Sequence, residues 1–204
     1  DATTLADWTL LHEVLGAPAP YDGLDIDTTA PGKLTITPTV SAWYLDGQAT
    51  FLYKQVSGDF YVEVDAAAYQ KGTASGAPTE TFNSGGLLVR DPASGPGSER
   101  WLMYNIGHQE QFLGVEGKVT QSSQSELILL PTSGQHTGRL RICRVGATVH
   151  MLRRLAGDAA WTETHTFPGT FPQTPAFTLP DTLQVGIIDN AYLVAGVRVE
   201  FDYI

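Results

Sequence analysis

The chain carries one cysteine, Cys143, and two methionines among its 204 residues. A lone thiol closes no internal disulfide, so stability has to come from a buried core, and cysteine usage leaves the compartment open. Within "RLRICRV" the alternation makes Cys143 a strand residue, a small and partly buried hydrophobe. Basic residues are also scarce: 12 Lys and Arg stand against 22 Asp and Glu, a formal net charge of -10. That balance repels phosphate backbones and anionic lipid, which removes nucleic acid and membrane surfaces as candidate partners and disfavours a strongly anionic polysaccharide. No apolar run approaches the roughly 18–20 residues of a membrane-spanning helix. The five histidines show neither HxH nor HExxH spacing, so a zinc site has no ligand set. A methionine and a charged-then-apolar leader are missing from the opening "DATTLADW", which suits a mature secreted or periplasmic chain or a trimmed one.

Helical periodicity is the next absence. Only "LADWTLLHEVL" (5–15) repeats apolar residues at helical spacing, and weakly. What is there instead is alternation, in short runs bounded by Gly, Pro, Asn and Asp: 33–40, 49–56, 59–69, 85–91, 100–108, 112–120, 138–146, 147–155, 182–189 and 195–204. Ten such runs in a chain with 21 glycines and 12 prolines describe an all-β, two-sheet antiparallel β-sandwich, one domain over residues 1–204. Residues 70–86 form a long polar connection, and 131–138 and 167–181 read as irregular links.

The stretch "GGLLVRDPASGPGSERWLMYNIGHQEQFLGVEGKV" (85–119) is the most informative. Folded as two hairpins turning near Pro96 and Glu110, it places Leu87, Val89, Leu102, Tyr104, Ile106, Val115 and Val119 on one face. Arg90, Trp101, Met103, Asn105, Glu116 and Lys118 then share the other, with Arg90 opposite Trp101, Asn105 opposite Glu116 and Met103 opposite Lys118. Two readings stand. In one, the Trp101 indole is a plate for the C–H face of a sugar, while Arg90, Asn105, Glu116 and Lys118 meet its hydroxyls. In the other, the face is a solvated charge ladder, or Trp101 is covered by the 70–86 loop. Trp43, before the turn-like Asp46-Gly47, is a second stacking candidate, and His108 ends its strand within reach of the patch. Trp161 reads as a packing residue.

The order "GDFYVEVDA", "GGLLVRD", "RWLMYNIGH", "GVEGKVT", "LRICRVGATVHMLRRLAGDAAWTETHTF", "LQVGIIDNA" and "VRVEFDYI" resembles concanavalin A-like jelly-roll domains, and within them the DUF1349-type modules found beside glycoside hydrolases. The resemblance covers about residues 40–204 and implies two large sheets, one curved, whose concave face holds carbohydrate. Its members include lectins, carbohydrate-binding modules, glycoside hydrolases and lyases. Laminarinase-like members use Glu-x-Asp-x-x-Glu on one strand; here Glu63 and Asp65 are followed by Ala68, so one carboxylate of the pair is missing. Glu63 and Asp65 then read as a solvated pair.

The expected function is a polysaccharide-binding, lectin-like module with no catalytic residue, appended to a larger carbohydrate-active enzyme. The alternative is a glycoside hydrolase or polysaccharide lyase in the same groove. Glu116 with Glu126 or Asp189 would supply two carboxylates; Tyr104 or His108 with Arg90 or Lys118 would supply a lyase base and a uronate neutraliser. A third reading is a protein-binding surface anchored by the exposed aromatics. No cofactor is required. A structural calcium suits the oxygen-rich "YDGLDIDTTAPG" (21–32), with Asp25 and Asp27 as ligands, although the acids do not follow the D-x-[DN]-x-[DN]-G pattern.

Overall fold

The computed structural model describes residues 5–174 and 177–202. In chain order its elements are β1 (Thr9–Leu10), α1 (Leu11–Leu15), β2 (Tyr21–Ile26), β3 (Leu34–Pro38), β4 (Phe51–Ser57), β5 (Phe60–Gln70) and β6 (Asn83–Arg90). There follow β7 (Arg100–His108), β8 (Leu113–Gln121), β9 (Gln124–Pro131), β10 (Thr137–Val145), β11 (Thr148–Arg154), β12 (Thr162–Phe167), β13 (Thr182–Ala191) and β14 (Val197–Asp202). They assemble into two seven-stranded antiparallel sheets: sheet A, ordered β1-β4-β13-β6-β7-β8-β9, and sheet B, ordered β12-β11-β10-β5-β14-β3-β2. This is the sandwich that the alternation requires.

The inner faces hold the main core. Leu87, Val89, Leu102, Tyr104, Ile106, Val115 and Val119 of sheet A meet Val64, Leu140, Ile142, Val199 and Phe201 of sheet B. At 0–1% exposure these side chains are fully withdrawn from water, which is the dominant favourable term in folding. Gly85 makes room for sheet B, since a Cβ there would stand 2.7 Å from Val199.

Some elements depart from the sequence reading. The helical candidate shrinks to five residues because Thr9 and Leu10 pair with Tyr53 and Leu52 of β4, and Gly16 closes the turn in the left-handed region at φ 65°. The Asp-rich stretch 21–32 begins as an edge strand, β2, paired to β3. β9 and β12 lack strict alternation and are recognisable only through their partners β8 and β11. The terminal positions 203 and 204 of the last expected strand lie outside the described residues.

Candidate functional site

The registers of β6, β7 and β8 are those the alternation implies: Arg90 lies opposite Trp101, Met103 opposite Lys118 and Asn105 opposite Glu116. Parity therefore sends Arg90, Trp101, Met103, Asn105, Glu116 and Lys118 to the outer face of sheet A, away from sheet B. Gly86 in the same face permits the close pairing, because a Cβ there would stand 2.2 Å from the Tyr104 carbonyl oxygen.

That face is covered, which corrects the expectation of an open trough. Trp101 and Trp43 are both 0% exposed and pack edge to face with centroids 5.7 Å apart. They share a second apolar cluster with Leu11, Phe51, Tyr53, Leu88, Met103 and Ile188. Neither indole presents a plate to a ligand. The cover is a strap, residues 41–50, rather than the 70–86 loop. It starts where Ser41 pairs with Ala191 of β13 and reaches β9, where the Leu45 N–H donates to Ser125 Oγ at 2.9 Å. The Trp43 N–H donates to Asn190 Oδ1 at 2.9 Å, and Thr50 donates to Asp189 through its N–H (3.2 Å) and Oγ1 (2.6 Å). Gln48 Nε2 donates to Glu99 at 2.9 Å, and Asp46 accepts from the Gly97 N–H at 3.0 Å and from the Ser123 hydroxyl. The start of the 70–86 segment turns the other way, where Lys71 pairs with Asp22 at 2.9 Å and Arg198 Nη1 donates to the Thr73 carbonyl at 2.9 Å; only its later part, at Phe82, comes back to this face.

The polar members of the face separate into two buried groups. Arg90, 2% exposed, is held in a fork by Glu99 (3.0 and 2.8 Å) and also donates to Gln184 Oε1 and the Ser94 carbonyl, both at 2.8 Å. Four of its five N–H donors so occupied leave Arg90 a structural role. On the other side of the strap, Asn105 Nδ2 donates to Glu116 Oε2 at 3.0 Å and Gln109 Nε2 donates to Asn105 Oδ1 at 3.2 Å. Lys118 Nζ lies 2.8 Å from Glu116 Oε1, an ion pair off the direction of a hydrogen bond, and donates to the Trp43 carbonyl at 2.9 Å.

Above Lys118 the face remains open, in a cavity of about 250 Å³ lined by Ala42, Tyr44, Phe82, Glu110, Lys118, Leu127, Asn190 and Tyr192. Tyr44 and Tyr192 are 44% and 39% exposed at its rim. The Lys118 ammonium stands 5.7 Å from the Tyr44 ring centre and 5.8 Å from that of Phe82. Phe82 and Tyr192 meet edge to face at 6.1 Å. The three segments that supply Tyr44, Phe82 and Tyr192 each hold a left-handed non-glycine residue, at Leu45 (φ 55°), Phe82 itself (φ 50°) and Leu193 (φ 62°). Such backbone costs energy unless its surroundings enforce it, and it collects where a site is shaped. Of the expected residues, only Lys118 lines this cavity; Asn105 and Glu116 support it from beneath.

Other expectations do not come together. His108 is half-buried at the end of β7, its Nδ1 2.7 Å from the Gln109 carbonyl oxygen, on the parity of the inner face. Tyr104 also points inward, where the Thr164 hydroxyl donates to its Oη at 2.8 Å, so sheet A separates it from Arg90 and Lys118. Glu126 and Asp189 have inner parity too, Glu126 accepting from the Gln173 and Thr174 N–H groups. Glu116 therefore has neither of them as a facing carboxylate. Both Asp25 oxygens accept from Thr29, at 2.8 and 2.7 Å, and Asp27 accepts from the Gly32 N–H at 2.6 Å, the habit of Asx turns. Among the described residues no three His, Cys, Asp or Glu side chains gather as a metal site. Glu63 and Asp65 pair with Arg141 and Arg139 on the outer face of sheet B. Trp161 packs under the Arg141 guanidinium at 4.2 Å.

A wider cleft of about 380 Å³ on sheet B is walled by such paired charges, including Lys33–Glu200 at 3.2 Å, and a notch of about 500 Å³ near the β8–β9 turn is lined by Gln, Ser, Thr and Glu. The sheet A cavity alone among the three joins aromatic walls to a buried cation. Parity could have found its rim: in "SAWYLDG", an inward Trp43 forces Tyr44 outward, and "NAYLVAG" leaves Tyr192 exposed just past β13. No local signal marks Phe82, Glu110 or Leu127.

No family model matches the chain, the DUF1349-type modules included, and no curated protein matches it. Solved structures do. A functionally unknown protein from Saccharomyces cerevisiae superposes with a TM-score of 0.68 at 15% identity, covering 97% of this chain and 94% of that one. A xylan β-1,4-xylosidase from Bacillus halodurans gives 0.67 at 17% identity over 97% of this chain, which spans only 36% of that enzyme. The basic winged bean lectin gives 0.55 at 9% identity, with coverage of 96% and 90%.

Proposed function

Starting from the concanavalin A-like jelly-roll fold of this chain, we propose that it is a non-catalytic carbohydrate-binding module whose site is the aromatic-rimmed cavity over Lys118. The observation that carries the reading is the pairing of Tyr44, Phe82 and Tyr192 with a buried ammonium. Aromatic edges and faces suit the C–H surfaces of a sugar. An ammonium has three N–H donors; the Trp43 carbonyl takes one and Glu116 balances the charge without lying along a donor, so N–H groups remain for a ligand oxygen. The lectin and xylosidase likenesses favour carbohydrate as the ligand class. In this reading the module is secreted and works beside a polysaccharide-degrading activity.

Isothermal titration against a panel of plant and microbial oligosaccharides tests it, with reducing-end release followed in the same samples. Binding without release is expected, with Tyr44→Ala and Tyr192→Ala each weakening it about tenfold or more, the size of a lost aromatic contact. Both side chains are exposed, so the variants should fold. Release of reducing ends would replace the module with an enzyme; binding that survives both substitutions would move the site elsewhere.

A further inference from the structure

Resting on the carbohydrate reading above, we infer that the cavity takes the terminal residue of a neutral glycan end-on and does not accept the internal residues of a chain lying across the sheet. The first ground is closure. Ala42 and Tyr44 of the strap line the cavity, together with Phe82 and Tyr192, which meet edge to face, and with Glu110 and Leu127. The strap spans the outer face from Ala191 to Ser125, so the trough that would carry a polymer is interrupted. Beyond it, Trp43, Trp101 and Arg90 are packed and 0–2% exposed, leaving no continuing path for a second ring. The strap is tied to β13, β9 and the 91–99 connection by side-chain hydrogen bonds, so it is part of the fold and not a removable cover.

The second ground is size. About 250 Å³ is below the roughly 300–1,000 Å³ of clefts that bury drug-sized ligands, which suits one sugar ring. The third is charge. Lys118 is already compensated by Glu116 at 2.8 Å, and Glu110 adds a second carboxylate at the rim. A uronate entering the cavity would meet two carboxylates and one cation, whereas a hydroxyl oxygen takes a free Lys118 N–H without that repulsion.

The test is titration of the intact chain with xylose, glucose, galactose and arabinose, their neutral oligosaccharides up to six residues, and galacturonic acid with its oligomers. Affinity is expected to be reached by the mono- or disaccharide and to change less than about threefold on further lengthening, because added residues project into water. Uronates are expected to bind at least about tenfold more weakly than their neutral counterparts at low salt, and Glu110→Gln to narrow that gap. Affinity climbing about tenfold between two and six residues would overturn end-on binding, and uronates binding as well as neutral sugars would overturn the charge argument. Silence from every sugar would instead remove the carbohydrate reading itself, and the two failures are distinct.

Discussion

Lys118 and Glu116 show how a residue can be right in kind and different in role. Both sit on the expected face, yet both are withdrawn from water, at 3% and 0% exposure, so each serves first as the other's counter-charge. Removing one partner of a buried pair leaves an uncompensated charge, whereas removing both leaves none. Lys118→Met is therefore expected to cost about 3–5 kcal/mol in urea unfolding, and the double variant Lys118→Met/Glu116→Gln to recover a large part of that. A double variant no better than the single would mean that packing around Asn105, not charge, sets the loss. Trp43 is a second case: its value lies in filling the space over Trp101, and Trp43→Ala is expected to cost about 3–5 kcal/mol through the cavity it leaves.

At the scale of elements, the strap and β12 carry opposing pH dependences. Asp189 anchors the strap through Thr50, and burial pushes its carboxyl up to about 7 from 3.8, against the two Thr50 hydrogen bonds. Between those values the folded chain holds a proton that the unfolded chain has released, so this group lowers stability as pH rises from about 4 to 7. His165 of β12 lies against Gly117 of β8, where a Cβ would stand 2.8 Å from its ring, and is stacked on Phe171 at 5.8 Å. Burial lowers its pKa to about 4 from 6.5, so the unfolded chain binds the extra proton and this group raises stability over much of the same window. The two nearly offset each other in the intact protein. Chemical denaturation at pH 4.5 and 6.5 is expected to show stability rising with pH in Asp189→Asn and falling in His165→Gln, at most about 1.4 kcal/mol per pH unit for one proton. Parallel profiles in both variants would mean that neither group titrates as its burial dictates.

For the whole molecule, a ligand that binds only the folded state stabilises it by mass action, about 2.7 kcal/mol at one hundred times Kd. In a chain of 204 residues that corresponds to a melting-temperature rise of roughly 5–10 °C. Thermal scans with a neutral sugar at that level are expected to show the rise and to show it cut to about half or less in Tyr192→Ala, as a tenfold weaker Kd dictates. An undiminished rise in the variant would place the sugar on another surface, with the 380 Å³ cleft of sheet B the next to probe. Sheet B itself carries paired charges on its outer face, Arg139 with Asp65 and Arg141 with Glu63, which offers a polar surface of little net sign.

The sandwich, most of its strands and the two facing registers from Arg90 to Lys118 were legible in the alternation, because alternation is a local property and a buried face admits only one parity. The sequence also held a warning that the outer face was not open: Leu88, Trp101 and Met103 place apolar side chains there, as strands buried on both faces do. What covers that face depends on contacts between distant parts of the chain. The strap comes from residues 41–50, far in sequence from the strands it crosses, and its anchors on Asn190, Asp189 and Ser125 are contacts between residues 80 to 147 positions apart, which no local pattern encodes. For the same reason the tryptophans became core while Tyr44, Phe82 and Tyr192, met on three separate loops, became the rim.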